Sequence, residues 1–311
     1  MRKTSWWRWL AAVCVAGLLS ACGSGSDDSE PTVVGVAQGD PRFSVLAEAV
    51  VAADLAGTLS ATGPFTVFAP TDDAFTALLA ELGMTKQQLL ADKALLRTVL
   101  QYHVLGAQVP KASVPVGKAI TTLQGGIFKI DSTPGGLVVT DGRNRQARIL
   151  ATDVMASNGV VHVIDKVLLP ANRTIVATAQ ALPDFSILVE AVAAAGLVDA
   201  LNGAGPYTVF APTNAAFAKL LAELGVSKEQ LLANKALLTQ VLTYHVVPGR
   251  VLKAEVPVGA AITTLQGQTF TVDGSLAITD GRGRKAGITA TDVLASNGVI
   301  HVLDTVILPK P

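Results

Sequence analysis

The stretch that decides the fold is written twice: GPFTVFAPTDDAF from Gly63 to Phe75, and GPYTVFAPTNAAF from Gly205 to Phe217. Each copy reads as a buried strand, a proline stop and a capped helix start. Phe65 to Ala69 is rich in β-branched and aromatic residues, and Pro70 ends the run because proline cannot donate to a ladder. Thr71 then stands at an N-cap position, with Asp72 and Asp73 in the first turn, where the helix dipole favours negative charge. The second copy keeps the cap as Thr213 but has Asn214 and Ala215 in place of the acidic pair, so a cap role for Asp72 and Asp73 outweighs a metal role.

Working outward, the offset of 142 between Gly63 and Gly205 holds from Phe43/Phe185 to Asp131/Asp273, with well over half of the residues identical. The chain is a duplicated domain. The offset falls to 139 between Gly159 and Gly298, because Asp131 to Gly136 is three residues longer than its twin. An indel at Pro134-Gly135-Gly136 marks an exposed loop.

Upstream of the repeated stretch, Phe43 to Leu59 and Phe185 to Leu201 each read as one apolar helix, with Leu46, Ala49, Val50 and Ala53 recurring on one face. Downstream, Thr85 with Gln88 and Ser227 with Gln230 match a capping box. Asp92 and Asn234 then cap helices that run into Tyr102-His103 and Tyr244-His245. The rest of each repeat is mostly β. Gly125-Gly126 reads as a turn, and Asp141-Gly142, Asp280-Gly281, Asn158-Gly159 and Asn297-Gly298 are hairpin signals. Helices first and hairpins afterwards indicate an α+β fold with a largely antiparallel sheet. In the last strand, Val160, His162 and Ile164 share one face and Val161, Val163 and Asp165 the other; both are mostly apolar, which predicts a central strand.

The N-terminus has a different logic. Arg2, Lys3 and Arg8 precede an apolar run from Leu10 to Leu19, too short for a permanent membrane span, so residues 1–21 read as an export signal. The run ends in Leu19-Ser20-Ala21-Cys22-Gly23, which resembles a bacterial lipobox, and that resemblance implies lipidation at Cys22. Two or more acyl chains make a stable anchor where one would not. Residues 22–32 read as a tether: from Gly23 to Thr32 the chain is Gly, Ser, Asp and Glu with Pro31 and Thr32, and ten such residues reach about 17 Å. Domains are expected at 33–171 and 172–311. Gly23 lacks the Asp associated with inner-membrane retention in enterobacteria, so an outer-membrane or cell-surface location is favoured.

Removal of the signal takes away Trp6, Trp7, Trp9 and Cys14. No intrachain disulfide is then available, and the core must hold each domain. Loss of three basic residues from a balance of 24 against 24 leaves the mature chain slightly acidic, and no basic stripe marks a nucleic-acid face. The sequence lacks a G-x-S-x-G elbow, an H-E-x-x-H pair, a P-loop and a strand-to-helix G-x-G-x-x-G. His162 and Asp165 lie three apart in a strand and face opposite ways, which is poor geometry for chelation. No enzyme activity, cofactor or metal is expected. The basic clusters Arg143, Arg145, Arg148 and Arg282, Arg284, Lys285 read as solvated hairpin charges, with an acidic glycan or phospholipid headgroup contact as the second reading.

TVFAPTxxAF, then YHV about twenty-five residues later, then NGVxHVxDxVxLP closing each repeat together resemble the fasciclin (FAS1, beta-Ig-H3) domain family. The resemblance covers the mature chain after the tether, twice. It implies two tandem domains, each a β-wedge or twisted antiparallel β-sandwich with helices packed along one side. It also implies an extracellular or surface-anchored protein of cell adhesion and matrix contact. In animal members the Tyr-His region is assigned to receptor binding, which places candidate contacts at Tyr102, His103, Tyr244 and His245. A structural role competes with this, since Tyr and His at the end of an apolar helix usually hydrogen-bond the surrounding chain. Two functions are therefore expected. One is a membrane-anchored adhesion module with a protein or glycan surface partner; the other is an envelope or periplasmic protein that binds a small molecule or cell-wall component between helices and sheet.

Overall fold

The computed structural model describes residues 30–311. The signal segment 1–21, Cys22 and the tether as far as residue 29 lie outside the described residues. In the first repeat the chain forms helices α1 (Val33–Gly39), α2 (Ser44–Ala52) and α3 (Ala56–Ser60), strand β1 (Phe65–Pro70), and helices α4 (Asp72–Leu82), α5 (Lys86–Ala91) and α6 (Lys93–Tyr102). Strands β2 (Val104–Leu105), β3 (Ala119–Thr121), β4 (Ile127–Thr133), β5 (Gly136–Thr140), β6 (Gln146–Ala156) and β7 (Gly159–Ile164) follow. The second repeat runs α7 (Ile175–Gln180), α8 (Ser186–Ala195), α9 (Val198–Asn202), β8 (Tyr207–Pro212), α10 (Asn214–Leu224), α11 (Lys228–Ala233) and α12 (Lys235–Tyr244). It closes with β9 (Val246–Pro248), β10 (Ala261–Thr263), β11 (Thr269–Val272), β12 (Ala277–Thr279), β13 (Lys285–Ala295) and β14 (Gly298–Leu303).

Local chemistry sets most of these boundaries. The Thr71 side chain accepts the Ala74 N–H, and Gly83 in the left-handed region stops α4. Both capping boxes form, and Asp92 and Asn234 accept from Leu95 and Leu237 at the starts of α6 and α12. Asp72 also reaches back to accept the Val45 N–H at 2.9 Å, tying α4 to α2. Asn214 makes the same bond to Ile187 at 3.0 Å, which shows why the repeat tolerates Asp for Asn there.

The single helix expected over Phe43 to Leu59 is instead two. Asp54 takes a left-handed φ of 57° after α2 and the chain restarts at α3. The equivalent Gly196, φ 72°, supplies the αL stop in the second copy, where glycine adopts it without strain. Helices α1 and α7 are additional elements beyond the sequence reading. Thr32 caps α1, and Asn158 Oδ1 accepts the Val33 N–H at 2.9 Å.

Each repeat builds one seven-stranded sheet, in the order β2-β1-β7-β6-β5-β4-β3 for the first. All neighbours are antiparallel except β1 with β7, which run parallel from Phe65↔Gly159 to Pro70↔Ile164. All six residues of β7 are buried, the two-sided burial its composition predicts. Strand β6 carries register shifts around Ala151, with Asp153 at φ 60°, and such a bulge bends a strand sharply. The N-terminal part of β6 pairs with β5 and its C-terminal part with β7.

Two cores result. Helices α1 to α6 pack on one face of β1 and β7 through Val67, Ala69, Val161 and Val163. Phe68, Tyr102, Phe128, Ile130, Val139 and Ile164 fill the space inside the bent sheet. Phe68 and Phe128 meet edge to face at 5.0 Å, a geometry worth about 1 kcal/mol beyond the area each ring buries.

The two Asn-Gly hairpins form for a different reason than turn dihedrals. Asn158 spends its side chain on Val33 N–H and on the Leu59 and Ala61 carbonyls, joining the hairpin tip to α1 and α3. Gly159 lets β1 approach: a Cβ there would lie 2.2 Å from the Phe65 carbonyl oxygen.

Candidate functional site

Tyr102 and His103 end α6 and diverge into different cores. Tyr102 enters the sheet-enclosed core, edge to face with Phe128; its hydroxyl donates to the Ile127 carbonyl and accepts the Gly142 N–H at 2.8 Å. His103 bonds the Val99 carbonyl through Nδ1 at 2.7 Å, and its Nε2 accepts the Leu168 N–H at 2.8 Å. These partners require a neutral ring with the proton on Nδ1. The second repeat repeats the pattern, with Tyr244 donating to Thr269 O at 2.8 Å, His245 Nδ1 on Val241 O at 2.7 Å and Ile307 N–H on Nε2 at 3.1 Å. Burial pushes both histidines down to about 4, and it pushes the Tyr244 phenol up to about 12.

All four Tyr-His side chains are buried, none exposed beyond 2%. Both ring nitrogens of each histidine are taken by backbone, so each histidine clamps the end of its helix to the segment after the last strand. Beside His103 the helices leave a space of only about 20 Å³ lined by Val33, Val34, Leu46 and Val50, and beside His245 one of about 30 Å³. Spaces of that size take about one water, and these are apolar.

His162 sits inside the sheet-enclosed core against Phe68, 5.3 Å between centroids, with Nε2 on Val109 O at 2.9 Å. Asp165 lies apart from it and accepts the Arg148 N–H at 2.7 Å. Among the described residues no group of three or more His, Cys, Asp or Glu is placed to hold a metal ion.

The basic clusters are solvated only in part: Arg148 and Lys285 are exposed as expected, and Arg145 and Arg284 are not. Arg145 is a clasp and not a solvated charge: it bonds Asp141 at 3.0 Å, Glu81 at 2.6 Å and the Val167 carbonyl at 2.5 Å. Arg284 pairs with Glu223 at 3.0 Å in the same place of the second repeat. Asp141, fully buried, accepts the N–H groups of Arg143, Arg145 and Leu169, so it organises the turn it begins. Gly142 is required by space, since a Cβ would meet Ala171 N at 2.2 Å.

The repeats also bind each other, which the sequence reading missed. Lys129 of β4 reaches Asp292 of β13 at 2.9 Å, and Asp292 has a side chain only 3% exposed. Asn144 pairs with the Leu294 main chain in both directions, at 3.0 and 2.7 Å. Ile127, Leu252, Leu294 and Val299 form a small apolar cluster across the contact. The contact is head to tail, using different faces of the two repeats. The counterparts of Lys129 and Asn144 are Thr271 and Gly283, so the second repeat lacks the donors. The counterpart of Leu294 is Met155, 53% exposed, so the first repeat leaves open the face that the second uses for docking. These departures between otherwise similar copies were the available signal.

Comparison with known proteins agrees with this architecture. Residues 41–170 and 183–309 each match the Fasciclin domain family. The chain therefore belongs to the fasciclin family, as two tandem domains. It is 34% identical over 251 residues to transforming growth factor-beta-induced protein ig-h3 of Sus scrofa, a match covering 79% of this chain and 35% of that protein. The chain thus spans about a third of the length of that relative. Protein sll1483 of Synechocystis is 47% identical over 150 residues, covering 47% of this chain and 79% of its own. A solved domain pair from the insect cell adhesion molecule Fasciclin I aligns over 84% of this chain and 95% of its own at 18% identity and a TM-score of 0.43.

Proposed function

We propose that this chain is an exported, lipid-anchored and non-catalytic protein whose two fasciclin domains serve adhesion or matrix contact at the cell envelope. The observation that carries this reading is the closed interior of both domains. A carrier of small molecules would need a deep apolar pocket between helices and sheet, and the spaces there amount to about 20 and 30 Å³ against roughly 300 Å³ or more for ordinary ligand sites. Recognition then falls to surfaces and to the junction of the domains. The open β6 face of the first domain, with Leu150 at 58% and Met155 at 53% exposure, supports a surface-acting module. The anchor rests on the lipobox-like Leu19 to Cys22 and its short acidic tether.

Mass spectrometry of the membrane fraction tests the anchor: an acylated N-terminus at Cys22 is expected, and Cys22→Ala should shift the protein to the soluble fraction. An unmodified Cys22, or cleavage elsewhere, overturns it.

A further inference from the structure

A cleft runs along the junction of the two domains, in two lobes that share Gly142 and Leu294 in their walls. One lobe, of about 330 Å³, is bordered by Gln124, Gly126, Arg250 and Ser296. The other, of about 300 Å³, is bordered by Arg143, Arg145, Asn172, Arg173 and Thr178. Either is large enough for a ligand group. Unlike the spaces under the helices, both are polar.

Four arginines face this cleft in a mature chain that is slightly acidic overall. Arg145 is committed to Asp141 and Glu81. The side chains of Arg143, Arg173 and Arg250 have no hydrogen-bond or ion-pair partner among the described residues. For Arg143 and Arg250 the Nε–H is buried as well as unpaired. A buried donor without a partner is costly, and native chains rarely retain one without cause. Nearby acids do not pair with these donors: Glu81 bonds Arg145, and Glu255 offsets the burial of Arg250 only through space, its Oε2 accepting the Leu252 N–H.

The second repeat shows that the same position can be satisfied. Arg282, the counterpart of Arg143, donates its Nε–H to the Pro309 carbonyl at 3.1 Å. Arg250 replaces Gln108 of the first repeat, and Arg173 comes from the segment that joins the domains. The arrangement therefore exists only at the junction. Burial holds Arg250 below the usual guanidinium range, the strain that a neighbouring anion would relieve.

We propose that this cleft is a binding site for an acidic oligosaccharide. A guanidinium fork matches the planar or tetrahedral oxygens of a carboxylate or sulfate bidentately. Free arginines in both lobes call for a ligand with at least two acid groups spaced along its length. The side-chain amides, hydroxyls and glycine backbone between them suit sugar hydroxyls. The assignment stands independently of the adhesive reading, since it needs neither an anchor nor a cellular partner.

The test is calorimetric titration of the full mature chain with trigalacturonate, cellotriose and inorganic sulfate at constant ionic strength. Trigalacturonate should bind, cellotriose should not, and sulfate should compete but bind at least tenfold more weakly. Arg143→Gln and Arg250→Gln should each weaken trigalacturonate tenfold or more, while Arg148→Gln, on the exposed face of β6, should leave it unchanged. Thermal melting of the unliganded variants checks folding; trigalacturonate should raise the wild-type melting temperature and not that of Arg143→Gln/Arg250→Gln. Equal affinity in wild type and both variants, or absence of trigalacturonate binding to the wild type, overturns the site. Sulfate as tight as trigalacturonate reduces it to a single-anion site and overturns the saccharide.

Discussion

Acidification should destabilise this protein through its buried histidines before its carboxylates titrate. His103 and His245 each accept a backbone N–H on Nε2, from Leu168 and Ile307, so a proton there would face a donor with no room for water. Burial lowers both from 6.5 to about 4, so the unfolded chain binds the proton more readily than the folded one. The sign follows: this stabilisation is whole above about pH 6.5, declines as pH falls and is gone below about 4. Linkage gives a loss of roughly 2 kcal/mol per histidine between about pH 7.5 and pH 5, a floor chosen to lie above the ordinary carboxylate range. His301 is lowered too, by the same burial, and adds in the same direction in the second domain. The mature chain is expected to lack tryptophan, so urea unfolding is best followed by circular dichroism at 222 nm. His103→Ala leaves the Leu168 N–H and Val99 carbonyl unpaired at about 1–3 kcal/mol each, and should also remove the first domain's pH slope over this window. Equal wild-type stability at pH 7.5 and pH 5, or an unchanged slope in His103→Ala, would refute the neutral-clamp reasoning.

Further outcomes follow from the contacts above. Gly159→Ala places a Cβ 2.2 Å from the Phe65 carbonyl and should abolish stable folding of the first domain, whereas Gly274→Ala meets nothing within 4 Å and should leave melting unchanged; calorimetry checks both. Lys129→Ala leaves Asp292 buried without its cation, so the second domain should lose about 3 kcal/mol, read by urea unfolding, and small-angle scattering should detect freer domains. Tyr102→Phe removes an acceptor for Gly142 and a donor to Ile127, costing about 1–3 kcal/mol, while Tyr244→Phe, with one bond to Thr269, should cost about 1.

What could be read in the sequence was what neighbours within a few residues decide. Thr71, Thr85 with Gln88, Asp92 and their twins act through bonds that span three residues, so local spacing suffices to place them. The centrality of β7 was legible because both faces of one short run are apolar. The helix break at Asp54 was hidden, since Asp adopts the left-handed region less readily than the glycine its twin supplies at Gly196. The roles of Asn158, Gly159 and Arg145 depend on partners 64 to 125 residues away or on the close approach of another strand. The junction arginines were invisible for a related reason. Arg143 looked like any hairpin charge until the fold brought Arg173 and Arg250 to the same cleft.

Brief protease treatment of intact cells tests most directly whether this protein is held at the envelope and meets partners outside it. The chain should be digested on unbroken cells, and Cys22→Ala should release it from the membrane. A chain that resists digestion until the outer envelope is disrupted would contradict adhesion to another surface.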